Sequence, residues 1–514
     1  LGIGHRASGI GHRASGIGHR ASGILLFVNR FISTLILQQN VLSLALPFCF
    51  KHFHCKSHFA TKITALTAHL KPKPTQVMSL ILLSQWIHVS SANAILTATS
   101  SQVIVGNTPQ VVALSSADKH GFTVNGVFYS EASGTIKSSE VKEFDGNLTL
   151  NDFKVAIYTS TNLDKVENYS DIDGDNADPQ QPFKVEMTNY WWYDNNGVRI
   201  IGDDKKKIIG CGSGFSMPLK LIIKTNVRAH SAYGIPDEGE PITLAKTYQI
   251  APKSQICYAK PNATVVYQNA QWHGFDENGN SQKWNLENSI ISPEYGGGRT
   301  SDYVLDFGFK AKPTYSSKTF PTTGFPGAQF QLVMTGAQTD YEFSVITQTK
   351  DVVDVDSLGS ITLKKKPLDQ VIVQATLKRD RSVKHDYSFN PTSIWAIPQG
   401  DFKGYWNVSQ TKCGSAFNVL SRGELTNSPQ RKAPMYWQFK DNNYTRAIGE
   451  GLTAEWGPMN KISYPNSEWR DAHYWTRDNY SPELYFVVHS VNGGVGYGGY
   501  ENKIGQINYI ACKG

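Results

Sequence analysis

Four carboxylates stand close together in YSDIDGDNADP: Asp171, Asp173, Asp175 and Asp178. Oxygen ligands at such spacing are how a flexible loop surrounds calcium, and calcium is the one cofactor the chain suggests. The pattern departs from a helix-loop-helix site, because Gly174 comes too early, Asn176 takes the tight-turn position and no glutamate stands twelfth from Asp171. A solvated acidic turn accounts for the same residues. CFKHFHCKSH groups Cys49, His52, His54, Cys55 and His58, types suited to zinc, with no apolar scaffold after them to hold a site. Gly210-Cys211-Gly212-Ser213-Gly214 lacks the GK[ST] ending of a phosphate loop. Beyond Ala94 there are six histidines (His120, His230, His273, His385, His473 and His489), none in HExxH, and no GxSxG nucleophile elbow. Glu455 beside Trp456 and Asp478 near Trp475 are the carboxylates with a glycosidase-like setting. The plainer roles are loop fixing for Glu455 and turn capping for Asp478. No enzyme is expected.

The elements that must carry these residues are mainly strands. Of 514 residues, 18% are charged and 44 are glycine, a balance of short strands and many turns rather than of disorder or a multi-span membrane protein. ILTATSSQVIVGNTPQVVAL alternates around a Gly-Asn-Thr-Pro turn, and Asn125-Gly126 marks a two-residue hairpin between Phe122/Val124 and Val127/Tyr129. Alternation resumes from Thr319 to Ile394 at the length of one small sandwich. The last stretch differs. Residues 401–514 hold 19 aromatics, with poor periodicity and loops rich in Gly, Asn and Asp, which suits a small sheet with short helices and long loops. Such residues either cement a loop-rich core or form contact hot spots, since Trp, Tyr and Arg dominate binding energy at interfaces; on the second reading Trp469, Tyr474, Trp475, Arg477, Asp478, Tyr497 and Tyr500 are the candidate receptor-binding residues.

The first 94 residues read as a leader. Ile3 to Gly23 is three copies of IGHRASG, too rich in glycine for a coiled coil. Lys71 and Lys73, the apolar run Val77 to Val89 and the small residues Ala92 and Ala94 follow the signal-peptide pattern, with cleavage expected after Ala94. This leader holds nine Lys/Arg and no Asp or Glu, so the remainder carries 41 basic against 43 acidic residues. The basicity is not in the folded body, and no nucleic-acid partner is expected. Four cysteines remain beyond the leader and permit three pairings. Sequential pairing closes one loop mid-chain, Cys211–Cys257, and clasps the last hundred residues with Cys413–Cys512; these are the cross-links expected in exported material.

CGSAFNVLSRGEL, YTRAIGEGLTAEWGPM, YWTRD and VNGGVGYGGY together resemble the C-terminal domain of the bacterial invasin/intimin-like adhesins, through Trp406 and Cys413, through Gly449, Gly451, Glu455, Trp456 and Gly457, and through Tyr474 to Asp478. PDEGEPITLAKTYQIAPKSQICYAKPNATV, with Cys257, Pro261 and Asn262, resembles the domain upstream of it. The resemblance implies immunoglobulin-like β-sandwich-type domains followed by a small α+β C-type-lectin-like domain. The expected division is a leader (1–94), a β-rich adhesion domain (95–318), an immunoglobulin-like sandwich (319–397) and the lectin-like domain (398–514). It further implies an exported virulence-type adhesin, at the cell surface or extracellular, meeting a host cell-surface protein or glycan. The chain before Ile95 shows no run of strands for a translocation barrel, so association with a Gram-negative outer membrane would go through another component. A non-adhesive periplasmic or structural β-protein is the alternative, and a secreted glycan hydrolase a more distant one.

Overall fold

The computed structural model describes residues 105–112, 114–266, 296–429, 442–499 and 506–514, with the backbone of strands Trp272–Phe275 and Ser281–Trp284. Every described residue belongs to the second of two units into which the chain divides, Thr99–Gly514. The repeat, the Cys/His cluster and the signal-like segment all lie outside the described residues. No helix among the described residues is long and apolar enough to cross a membrane.

The second unit begins with a sandwich built on two eleven-residue antiparallel strands, Leu219–Ala229 and Ile242–Pro252. Leu219, Leu221, Ile223, Thr225, Val227 and Ala229 alternate strictly inward, as period-two patterning requires. Val141–Phe144 runs parallel to the second of these strands, while Phe183–Val185 and Asn189–Tyr193 flank the first. The facing sheet holds Gly121–Val124 and Val127–Ser130, joined through Asn125 (φ 49) and Gly126 (φ 80), left-handed positions that fit Asn-Gly. Phe122, Phe153, Trp192, Leu221, Tyr248 and Ile250 fill the space between.

A second sandwich opposes a six-stranded and a three-stranded sheet. The larger one takes Tyr303–Val304, Gly308–Lys310, Ile256–Pro261, Ala328–Met334, Ser360–Leu363 and Val353–Val355 in that order. The smaller one takes Tyr341–Val345, Val371–Leu377 and Lys384–Phe389. Ile256–Pro261 pairs directly with Ala328–Met334, so the division expected at residues 318/319 falls inside a sheet. The physical reason is the pairing itself: three strands preceding residue 318 complete the hydrogen bonding of strands that follow it.

Both expected disulfides form. Cys211–Cys257 (Cα–Cα 5.7 Å) ties a loop of the first sandwich to a central strand of the second. Around it, Asp340 accepts from Ser216 Oγ (3.0 Å) and Met217 N (2.9 Å), and Gly336 N donates to Gly210 O (3.1 Å). Cys413–Cys512 (Cα–Cα 5.3 Å) closes the C-terminal module.

That module is a six-stranded sheet in the order Thr323–Gly324, Ile394–Gly404, Asn508–Lys513, His473–Ser481, Leu484–His489, Val495–Gly499. The short helices Trp406–Lys412, Arg422–Leu425 and Leu452–Trp456 accompany it. Its first strand comes from the segment linking sandwich strands, and one apolar core runs from Phe330, Val371 and Phe389 through Trp456 and Tyr464 to Trp469 and Val488. The second sandwich and the C-terminal module therefore share a core.

Candidate functional site

The segment Glu455-Trp456-Gly457 is where the module is fastened down. Glu455 is fully buried on the short helix Leu452–Trp456. Its Oε1 accepts from Thr322 Oγ1 (2.8 Å) and Gly449 N (2.9 Å), its Oε2 from Thr323 N (2.9 Å) and Thr323 Oγ1 (2.7 Å), and Thr322 N is shared at 3.0 Å. Burial pushes its pKa up, and this shell of donors opposes that push. Trp456 Nε1 donates to Thr323 Oγ1 at 3.0 Å, and its ring packs against Phe320, Phe325 and Tyr464. Gly457 (φ 71) leaves room for the Arg446 guanidinium, which a Cβ would strike. Arg446 lies buried over the faces of Tyr303 and Phe309. Glu455 thus serves as a fully buried structural acceptor, while Asp478 accepts from Arg422 N on another part of the module.

The strand His473–Ser481 divides into an inner and an outer half. Tyr474, Trp475 and Thr476 are buried; Asn479 and Tyr480 are exposed. Register shifts against Leu484–His489 fall between Trp475 and Asn479 and between Asn479 and Ser481. Such bulges re-aim side chains, and here they turn the strand's end outward.

Three of the expected contact residues are corrected by this geometry. Trp469, Tyr474 and Trp475 are each at most 1% exposed. Trp475 Nε1 donates to Gly404 O (2.8 Å), Tyr474 Oη accepts from Arg470 N (2.8 Å), and Trp469 packs edge-on against Tyr474 and Phe325. They are core because large rings gain more from exclusion of water than the small sheet can supply otherwise. Arg477 and Asp478 are partly exposed. Arg477 sits 3.8 Å from Glu424 and donates to Phe417 O, while Asp478 accepts from Arg422 N at the start of the helix Arg422–Leu425. Tyr500 lies outside the described residues.

Tyr497 is partly exposed and lies against a residue that sequence reasoning missed. Tyr480, 43% exposed, stacks on Tyr497 with ring centroids 4.5 Å apart and planes 9° from parallel. Phe486 meets Tyr480 edge-on from below at 5.5 Å. Val495–Gly499, which carries Tyr497, is the outermost strand of its sheet among the described residues. Phe417, 82% exposed, lies in the short helical turn Ala416–Asn418, where its carbonyl accepts from Arg477. Only the bulges would have flagged Tyr480, and they are not visible in residue types.

The acidic segment does not converge. Asp171 Oδ1 accepts from Asp173 N (2.8 Å) and Asp175 N (3.2 Å). Asp173 accepts from Asn107 N and Nδ2, and Asp178 from Gln180 N (2.7 Å) and Gln181 N (3.0 Å). Those backbone donors hold the carboxyls of Asp173 and Asp178 below their usual range. Among the described residues no three His, Cys, Asp or Glu side chains are placed to share a metal ion. The calcium expectation is corrected accordingly: the carboxylates of Asp171, Asp173 and Asp178 turn to nearby N–H groups rather than to a common centre.

Comparison with known proteins gives one family match. Residues 309–389 match the model described as Invasin, domain 4, which bears out the resemblance read from the sequence. No curated protein matches the chain. Among solved structures it is similar to invasin, a bacterial integrin-binding protein, at 15% identity and TM-score 0.32, covering 65% of this chain and 51% of that one. The chain thus spans about half the length of that structure. It is also similar to an intimin mutant of EHEC O157:H7 (15% identity, TM-score 0.26, 41% of this chain and 93% of that one). A third is the C-terminal 282-residue fragment of intimin in complex with the intimin-binding domain of Tir (11% identity, TM-score 0.26, 65% and 86%). The architecture is mainly β, two sandwiches followed by a small α+β module, as the resemblance implied.

Proposed function

We propose that this invasin/intimin-like chain is an exported, non-catalytic adhesin whose C-terminal module binds a protein on the surface of a host or neighbouring cell. The observation that carries this reading is the stacked pair of exposed Tyr480 and partly exposed Tyr497 at the outer edge of the module. Stacked tyrosines present a rigid apolar surface with hydroxyls at its rim, and such residues are enriched among interface hot spots. The shared core behind them and the Cys211–Cys257 link between sandwiches support a pre-organised surface, which lowers the entropy cost of binding. A protein partner is favoured by the kind of ligand named for the similar structures, an integrin for invasin and Tir for intimin. Two disulfides and the signal-like segment support export, with outer-membrane association through another component. The test is binding of the labelled protein to cultured epithelial cells by flow cytometry. Replacing Tyr480 and Tyr497 together by alanine lowers binding about tenfold or more while circular dichroism and melting stay as in the parent. Parental binding by that folded double variant refutes the site.

A further inference from the structure

A cleft of about 340 Å³ lies where the strand Lys384–Phe389 of the second sandwich meets the start of the C-terminal module. That volume is within the range of small-ligand sites, roughly 300–1,000 Å³. Most of the residues that line it are polar and neutral, Thr319, Ser388, Gln370 and Asn390 among them, though their carbon atoms supply much of its wall. Phe389 is the aromatic at the wall, and no carboxylate contributes. The one charge is Lys318. Its backbone N–H donates to Ser316 Oγ (3.1 Å), but its exposed ammonium has no hydrogen bond or ion pair among the described residues.

Several lining hydroxyls already spend their protons inside the protein. Thr322 Oγ1 gives its proton to Glu455 (2.8 Å), Thr392 Oγ1 gives its proton to Asn390 Oδ1 (2.7 Å), and Ser393 Oγ donates to Thr322 O. Each of these oxygens keeps lone pairs for an incoming hydroxyl, while the Asn390 and Gln370 amides can donate. Because the buried Glu455 fixes Thr322, and Asn390 fixes Thr392, the acceptors are oriented before any ligand arrives. We propose that this cleft binds an acidic saccharide, with the sugar carboxylate at the Lys318 ammonium and vicinal hydroxyls on the Ser/Thr and amide groups. A neutral sugar would leave the ammonium without its charge-assisted partner. A lone acidic side chain of a protein would leave the row of hydroxyls and amides unused. The site is distinct from the receptor contact at Tyr480/Tyr497 and does not depend on it.

The test is titration of the full protein with sialyllactose and with a glucuronic-acid disaccharide, followed by saturation-transfer NMR and calorimetry. Lactose and acetate serve as comparison ligands. The expected result is saturable binding of an acidic saccharide, weakened about tenfold for lactose and for Lys318→Ala, kept by Lys318→Arg and unaffected by Tyr480→Ala. Lys318→Ala removes an exposed side chain and leaves melting unchanged. The proposal is overturned if neither acidic saccharide binds, if lactose binds as tightly, or if Lys318→Ala binds like the parent. It is overturned equally if acetate binds as tightly as the saccharides, which would mark a simple carboxylate site such as a protein side chain could fill.

Discussion

Replacing Glu455 by glutamine changes one oxygen to an NH2 and almost no volume, so it isolates hydrogen bonding at the joint between the second sandwich and the C-terminal module. Both oxygens of Glu455 face backbone donors that cannot reverse: Gly449 N and Thr322 N on one side, Thr323 N and Thr322 N on the other. The threonine hydroxyls can turn to accept from the new amide, but the backbone N–H groups cannot. Either orientation of the glutamine therefore leaves one or two buried N–H groups against an NH2. An unsatisfied buried donor costs about 1–3 kcal/mol. For one or two such groups that is about 1–6 kcal/mol, and relief of the buried charge returns part of it, leaving a net loss of about 3 kcal/mol. For a cooperative unit of this size that corresponds to a fall in melting temperature of about 6–12 °C. Differential scanning calorimetry of the two proteins reads it directly. A Glu455→Gln protein within about 0.5 kcal/mol of the parent would refute the account of Glu455 as an ionised acceptor that fastens the module.

Other outcomes follow from the same geometry. His473 packs edge-on against His489 at 4.7 Å, and burial, then the His489 charge, hold its pKa down to about 4. Burial also lowers His489, opposed by Asp471. The folded state then binds fewer protons than the unfolded one below the ordinary histidine pKa of 6.5. Stability falls as pH drops from about 6.5 towards 4, by up to about 3 kcal/mol for His473. Urea midpoints across that range test this, and His473→Phe should flatten the slope. Trp475→Ala should cost about 3–5 kcal/mol in urea denaturation, whereas Tyr480→Ala should stay within about 0.5 kcal/mol of the parent; equal losses would contradict the inner and outer halves of the strand. Non-reducing peptide mass spectrometry of exported material should recover both the 211–257 and 413–512 cross-links, and breaking Cys413–Cys512 by serine substitution should cost about 2–5 kcal/mol.

Much of the architecture is legible in residue order. Asn125-Gly126 specifies its own turn because few other residues accept two left-handed positions in succession. The four body cysteines, the alternation after Thr319 and the aromatic density beyond residue 400 mark the disulfides, the second sandwich and the loop-rich module. The roles of Glu455 as a loop anchor and Asp478 as a cap were also available, since carboxylates beside turn-forming segments commonly accept backbone N–H groups. The start of the second sandwich was less accessible. Ile256–Pro261 alternates like any strand, and which neighbour it pairs with depends on backbone hydrogen bonds to residues some seventy positions later.

What the sequence determined by itself is therefore the inventory: mainly strands, turns that specify themselves, cysteines to close loops, and rings dense enough to build either a core or a contact surface. What only tertiary structure decided is which rings do which. Trp475 and Tyr480 are aromatic rings on one strand, with register shifts on either side of Asn479, yet one lies buried under the sheet and the other in solvent at its outer end. Side-chain direction follows backbone register, and register is fixed by the partner strand rather than by the residue itself.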